Sequence, residues 1–386
     1  MHVRSVNDPV LKSIFLDLPA AVYSTADSSP YGIKDLPNDR AEEAALLAGT
    51  HTLSEIIHIE AFLLFRGDLV PGETPKLDNC LARLALIENT AMRAKDRSTL
   101  CFGFFDARFD TPSIVPLIQA VEARCRDHKA TRLLGPINAS FWLKYRFKLD
   151  QFNQEPYFGE PINPPYYPAL FLEAGFTIDT LYSSNFYGAQ STMPKRMQKR
   201  LDDFKRKNVQ IRAPKRSEID RLIPELYALL SDLFRDFRIY HPIDAKSFET
   251  LFSSMKLIIS RDLIRLAISD GAIVGFIICF PDYGSRLGSE RSVIEKVFAI
   301  IRKRKMKRAV LLYLGVRPAH LGLATAMIAD LKRSLDQRNL PLIGALIQSG
   351  KVTADYAASE IISTNQYALL AKTVSTDGLK PDMRVI

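Results

Sequence analysis

The segment GVRPAHLGLATAM, residues 315–327, joins an apolar run, AVLLYL, to the amphipathic stretch IADLKRSLDQRN. That order predicts a strand, a tight loop turned on Gly322 and a helix. A helix start carries unpaired N–H groups and the positive end of the helix dipole, so residues 322–326 are a candidate phosphate cradle. Two basic stretches also point to an anionic partner. Residues 195–216 hold ten Lys or Arg against two Asp, and RKRKMKR, residues 302–308, adds six more to a chain whose net charge is +9. Such patches suit a phosphorylated ligand, an acidic protein or a lipid surface; solvated helix faces are the plainer alternative. No Ser-His-Asp or Cys-His spacing suggests a covalent nucleophile, and no His, Cys or Glu cluster suggests a metal.

These groups need elements to hold them. A chain of 386 residues exceeds one ordinary core and suits two domains. It is 47% hydrophobic and 25% charged, the balance of a globular protein. No run approaches the roughly 20 apolar residues of a membrane span. The first segment is interrupted by Asp8, Pro9 and Asp17, unlike an export signal. The four scattered cysteines read as reduced packing residues, so a cytoplasmic location is expected.

Alternating apolar residues predict strands at 58–70, 80–89 and 99–109, the first two joined by PGETPKLDN. A helix follows at 113–129 with Pro116 in its first turn, then the strand TRLLGPIN, an aromatic and proline-rich stretch, and DTLYSSNFYG. The strongly charged MPKRMQKRLDDFKRKNV reads as a bridging helix, anchored by Met197, Leu201, Phe204 and Val209. The second half repeats the order: two helices, a hairpin turned on Asp270-Gly271, the strand–loop–helix, the strand LIGALIQ, a short helix VTADYAASEII and the strand QYALLAK. A recurrence at about 190 residues is an internal duplication. The expected fold class is α/β, each half a central mixed sheet flanked by helices. Expected boundaries are 1–190, a basic linker helix at 191–214, and 215–386.

Five phrases carry a family resemblance: GFFDA (103–107), GPIN (135–138), NPPYYPALFLEAGF (163–176), DGAIVGFIICFPD (270–282) and LGVRPAHLGLATAM (314–327). With them the chain resembles the GNAT acyltransferase superfamily, and over nearly its whole length a largely uncharacterised bacterial group of tandem GNAT-like N-acyltransferases. The resemblance implies two tandem GNAT-like domains that pass an acyl group from a pantetheine thioester to an amine. The thioester is acyl-CoA or a phosphopantetheinyl acyl-carrier protein, used as co-substrate, with no cofactor tightly bound. It further implies a sheet whose central strands splay apart to admit the pantetheine arm. The superfamily loop, Arg-Gly-x-Gly-x-Gly/Ala, aligns with Leu321-Gly322-Leu323-Ala324-Thr325-Ala326, so the arginine has become leucine and the second glycine alanine. The donor would then lie against Leu314, Val316, Gly322, Leu323, Ala324, Thr325 and Ala326. Backbone N–H groups survive these changes while the charged fork does not. A carrier protein or a long acyl-CoA, docked by the basic runs, is therefore expected over short acyl-CoA, with an apolar or membrane-resident amine, such as a long-chain or lipid amine, as acceptor. The matching place in the first half, DARFDTPS, has no glycine; its Asp106 and Asp110 suit capping the next helix, so the first domain is expected to bind no donor.

The resemblance also assigns roles. His241, in IYHPID, is the candidate base; Asp282 is the second, and Tyr356 the acid for the leaving thiolate. Asn138, Asn163, Tyr166 and Tyr167 are candidate acceptor contacts on proline-fixed loops. Each has a structural alternative: a loop histidine, a turn former beside Pro281, helix packing, a rigid corner. SVIEKVFAIIRKRKMKR offers an apolar face that runs into a basic end, fit for an anionic membrane surface at the inner face of the membrane, or for an acidic partner. The competing reading is a catalytically inactive tandem GNAT-fold module that recognises a nucleic acid or an acidic protein. Nucleic acid is not expected, since no aromatic residues interleave the basic runs for base stacking.

Overall fold

The computed structural model describes residues 1–386 except 24–35, 37–38, 69–71, 73, 190–192, 254, 289–290, 303–304, 351–357 and 376–386. The first half runs β1 (His2–Ser5), α1 (Pro9–Tyr23), α2 (Arg40–Leu47), β2 (Ile57–Phe65), β3 (Cys80–Asn89), α3 (Thr90–Arg93), β4 (Thr99–Ala107), α4 (Val115–Asp127), β5 (Arg132–Gly135), β6 (Phe147–Lys148), α5 (Tyr166–Glu173) and β7 (Thr177–Tyr187). The second runs α6 (Lys195–Arg206), β8 (Gln210–Arg212), α7 (Ile219–Leu233), α8 (Ala245–Ser253), α9 (Met255–Ile258), β9 (Ile264–Ser269), β10 (Ala272–Pro281), α10 (Val293–Ile301), β11 (Ala309–Val316), α11 (Leu323–Gln337), β12 (Leu342–Gln348) and β13 (Ile361–Thr373). Among the described residues no helix is long and apolar enough to cross a membrane.

The duplication is plain in the strands. β2–β3–β4–α4–β5 corresponds to β9–β10–β11–α11–β12, with Thr99 and Ala309, and Arg132 and Leu342, opening equivalent strands. The offset is therefore larger than the sequence pattern suggested. All described strands form one sheet in the order β1-β2-β3-β4-β5-β13-β7-β12-β11-β10-β9-β8, with β6 beside β13. The chain exchanges strands at its centre. β13, the final strand, inserts between β5 and β7, pairing Leu370 with Gly135 and Leu369 with Thr180. β7 in turn pairs Phe186 with Ile343 of β12. Each half thus completes its sheet with a strand from the other.

Near-continuous apolar sequence follows from burial on both faces: β4 is buried along its whole length. The charged helix α6 sinks its apolar stripe, with Met197, Leu201 and Phe204 in one cluster with Leu331 and Leu335 of α11. Asp106 is a correction to the sequence reading. It does not cap α4, whose start is held by Ser113 Oγ accepting from Val115 N at 3.1 Å. Asp106 instead accepts from buried Arg83 Nε at 2.8 Å, while Glu43 takes Nη1 at 2.6 Å and the Phe15 carbonyl takes it at 2.8 Å. Asp110 pairs with Arg66 at 2.5 Å on the surface. The expected helix in VTADYAASEII lies outside the described residues except for its end, where Ile361 opens β13.

Candidate functional site

A site needs open backbone, and the sheet supplies it where parallel strands part. β11 and β12 pair only from Ala309 with Leu342 to Leu311 with Gly344, and then diverge. Two irregularities drive the parting. In β11 the partners of β10 jump from Leu311 to Tyr313, leaving Leu312 as a bulge, and Leu346 of β12 adopts a left-handed backbone (φ +57°). Between the strands opens a cleft of about 1320 Å³, walled also by β7 and by residues 141–146 of the first half.

At one end β11 turns into α11. Gly322 sits at the helix N-cap with φ +87°, a conformation that costs an L side chain dearly, and Leu321 beside it is 92% exposed. A Cβ on Gly322 would lie 3.3 Å from Arg200 Nε, so a cation from α6 stands against the loop. The charge missing from position 321 is thus present in space. His320 contributes a buried Nδ1 with no hydrogen-bond partner among the described residues. Of the expected donor contacts, Leu314, Val316, Gly322 and Ala324 line the cleft. Leu323 and Ala326 are fully buried in the core beneath it, and Thr325 is half-buried in the first helical turn.

The equivalent wedge in the first half is closed. β4 and β5 pair from Thr99 with Arg132 to Cys101 with Leu134, and then GPIN fills the gap. Ile137 N donates to the Phe102 carbonyl at 2.7 Å, and Asn138 Oδ1 accepts from Phe104 N at 2.8 Å. There is no room to spare: a Cβ on Gly103 would sit 2.4 Å from the Ile137 oxygen. Beyond the wedge, Tyr167 accepts from Ala107 N at 3.0 Å and Tyr166 donates to the Ala107 carbonyl at 2.8 Å. Asn163 is buried too, accepting from Lys148 N at 2.7 Å and donating to the Pro164 carbonyl at 2.9 Å. Asn138, Asn163, Tyr166 and Tyr167 are therefore placed in the frame of the first half and not in the cleft wall.

The expected acid–base residues are not brought together at the cleft either. His241 is 0% exposed; its Nε2 faces Asn89 Nδ2 and Ser140 Oγ, each at 2.9 Å. Asn89 Oδ1 accepts from Met92 N, which turns the amide N–H toward the imidazole. Nε2 is thus an acceptor, and burial lowers the His241 pKa to about 4. Asp282 is also buried, accepting from Phe158 N and Gly284 N, both at 2.9 Å, and from Arg308 Nε at 2.8 Å. It supports Phe158, which does line the cleft. Tyr356 lies outside the described residues.

The cleft wall holds other titratable groups that the sequence did not single out. Burial raises the Glu42 carboxyl, with Lys144 opposing the rise. Burial pushes the Tyr313 phenol of β11 up to about 12, Tyr145 adding to the shift and the Arg146 guanidinium opposing it. Among the described residues no group of three or more His, Cys, Asp or Glu is placed to hold a metal ion.

No family model and no curated protein matches the sequence. Solved structures do match. One is the GCN5-related glucosamine N-acetyltransferase region of a fungal multi-domain GH3 β-N-acetylglucosaminidase, at 15% identity and a TM-score of 0.53. The match covers 96% of this chain, which spans only 38% of that one. A tandem GNAT protein from the clavulanic acid biosynthesis pathway matches at 11% identity and a TM-score of 0.48, over 98% of this chain and 100% of the other. A GCN5-related N-acetyltransferase from Sphaerobacter thermophilus matches at 13% and 0.47, over 98% and 96%. Together with the repeated, splaying strand pairs, the first of these matches identifies the fold: the chain is a tandem GNAT fold, two mixed sheets of the GCN5-related N-acetyltransferase type joined into one.

Proposed function

We propose that the chain is an N-acyltransferase whose donor and acceptor meet in the β11–β12 cleft. The observation that carries this reading is the contrast between the two wedges: one filled by Ile137 and Asn138, the other open and ending at left-handed Gly322. A pantetheine arm can pair with backbone that β12 has left free. The phosphate behind it would meet the N–H groups of residues 322–325, Ala326 N being taken by the Gly322 carbonyl, with Arg200 and His320 beside them. The acceptor nitrogen, once deprotonated, attacks the thioester carbonyl; the C–N bond forms, the C–S bond breaks, and the thiolate takes a proton. With His241 buried and engaged, Glu42 is the proton acceptor this reading assigns, and Tyr313 the hydroxyl nearest in kind to the task of Tyr356.

The donor we infer is an acyl-carrier protein or a long acyl-CoA, since Ala324 takes the room of the superfamily's second glycine and exposed basic residues of α6, Arg200 among them, flank the loop. The acceptor is an amine, and the surface supports an enzyme that works at a membrane face. On α10, Val293, Ile294 and Ile301 are 76%, 81% and 74% exposed, and the basic run 302–308 follows directly. Such a helix suits peripheral contact with an anionic bilayer.

The test offers one acyl group on CoA and on a carrier protein, at low and high salt, and measures the amide formed. Carrier-dependent turnover that falls with salt and with charge reversal at 302–308 is expected. Equal, salt-insensitive use of short acyl-CoA refutes the donor assignment. Binding of neither donor refutes the acyltransferase.

A further inference from the structure

A second site lies in the same cleft, away from the donor loop. Arg146 is 8% exposed and lines the cleft, with its guanidinium 3.6 Å over the ring of Tyr145 and 4.0 Å over that of Tyr182. One Nη donates to the Tyr145 hydroxyl, but Nε has no hydrogen-bond partner. No carboxylate among the described residues lies within 4 Å of it. The other cations of the wall are provided for. Arg238 donates to Asp179 at 3.2 Å, Arg317 faces Asp232 at 3.5 Å, Lys332 pairs with Asp336 at 2.7 Å, and Lys144 interacts with Glu42. Among the described cations of the wall, Arg146 alone has no acid beside it.

A guanidinium cannot shed its charge, so burying one without a counter-ion is costly unless something else supplies the negative charge. The backbone underlines the point. Arg146 has φ +86°, a left-handed conformation that disfavours any side chain, and it is fixed there by its N–H on the Pro136 carbonyl at 3.0 Å and by the Ile137–Tyr145 bridge. Packing alone would be served better by a neutral residue. The rings of Tyr145 and Tyr182 stack on the cation, Tyr313 lines the cleft beside them, and the Nε side of the guanidinium is left for a planar oxyanion.

We propose that Arg146 anchors an oxyanion of the acceptor, a carboxylate in the first place, so that the amine acylated here belongs to an amino acid or a similarly charged molecule. Naming the occupant as the acceptor rests on the acyl-transfer reading; the anion subsite itself does not. The acceptor would be held at its anionic end by Arg146 and at its flanks by the tyrosine rings, which leaves its nitrogen free to face the donor groove along β11.

Matched pairs test it by calorimetry on the full chain: phenylalanine against phenethylamine, leucine against 3-methylbutylamine, and O-phosphoethanolamine against ethanolamine. Tighter binding of the acid in a pair by about tenfold is expected, the worth of one charge-assisted contact. The last pair tells a phosphate from a carboxylate. Arg146→Met should remove the preference and leave the plain amines unchanged, and Arg146→Lys, which keeps charge and fold, should restore part of it. Wild-type protein that binds no acid better than its amine, or an Arg146→Met or Arg146→Lys protein that keeps the full preference, overturns the proposal. An acid preference with no amide formed from any donor would leave the subsite standing and remove the acyltransferase.

Discussion

Acidification should expose His241 as a structural residue and not a catalytic base. In the folded chain its Nε2 accepts where Asn89 donates, and a proton there would set two donors face to face. Its pKa is accordingly lowered from 6.5 to about 4, chiefly by burial. The unfolded chain therefore binds the proton that the folded chain refuses, and stability is lost as pH falls from 6.5 through about 4. The lowered pKa corresponds to about 2 kcal/mol at pH 5 and about 3 kcal/mol below pH 4, at 1.36 kcal/mol per pKa unit. His241→Leu removes that titration. At pH 7 it should cost about 3 kcal/mol, because Asn89 and Ser140 lose their acceptor. By pH 5 the gap to wild type should narrow to about 1 kcal/mol, since only the wild type pays the protonation penalty. Denaturant unfolding of both proteins at pH 7 and pH 5 measures this directly. The pH–rate profile of the variant should keep the shape of the wild type. An unchanged stability gap between the two pH values, or a His241 proton titrating near 6.5 in the folded protein, refutes the reasoning.

Two further outcomes follow from the site. Gly322→Val forces a β-branched residue to φ +87° against Arg200, at roughly 1–2 kcal/mol of strain, and should weaken donor binding by tenfold or more by blocking the N–H groups; unaltered donor affinity would move the donor elsewhere. Asp282→Ala strands the N–H groups of Phe158 and Gly284 and the Arg308 guanidinium. It should lower stability by about 2–3 kcal/mol while donor affinity holds, checked by thermal unfolding with and without donor.

Local chemistry was legible in the sequence where local chemistry decides the structure. Asp270 and Gly271 take the left-handed backbone (φ +49° and +78°) that their hairpin requires, and Pro116 stands in the first turn of α4, where its missing N–H does no harm. GPIN and NPPYYP stood out, but their role did not, because it depends on what lies across the sheet. Gly103 and Gly135 are glycines to admit the backbones of Ile137 and Phe102, and the two tyrosines serve the end of β4. Arg146 gave no signal within LKYRF; only its burial, its backbone and the absence of an acid mark it. Arg200 stood in a basic run already noted, yet nothing in its spacing linked it to a loop more than a hundred residues away. The apolar alternation of QYALLAK announced a strand without naming its partners, and that left the central exchange unseen.

That exchange bears on how the chain comes off the ribosome. When the first half has emerged, β5 has no neighbour beyond β4 and β7 has neither of its partners, since β12 begins at Leu342 and β13 at Ile361. Until then the β5 edge stands open and β7 is an unpaired strand, the kind of surface that templates pairing between neighbouring nascent chains. The contacts that close them, such as Leu370 with Gly135, are among the most remote in sequence that the fold makes, and closure waits on synthesis of the second half. A stop codon ahead of β13 would therefore leave β5, one of the earlier strands to be translated, without the neighbour that covers its edge.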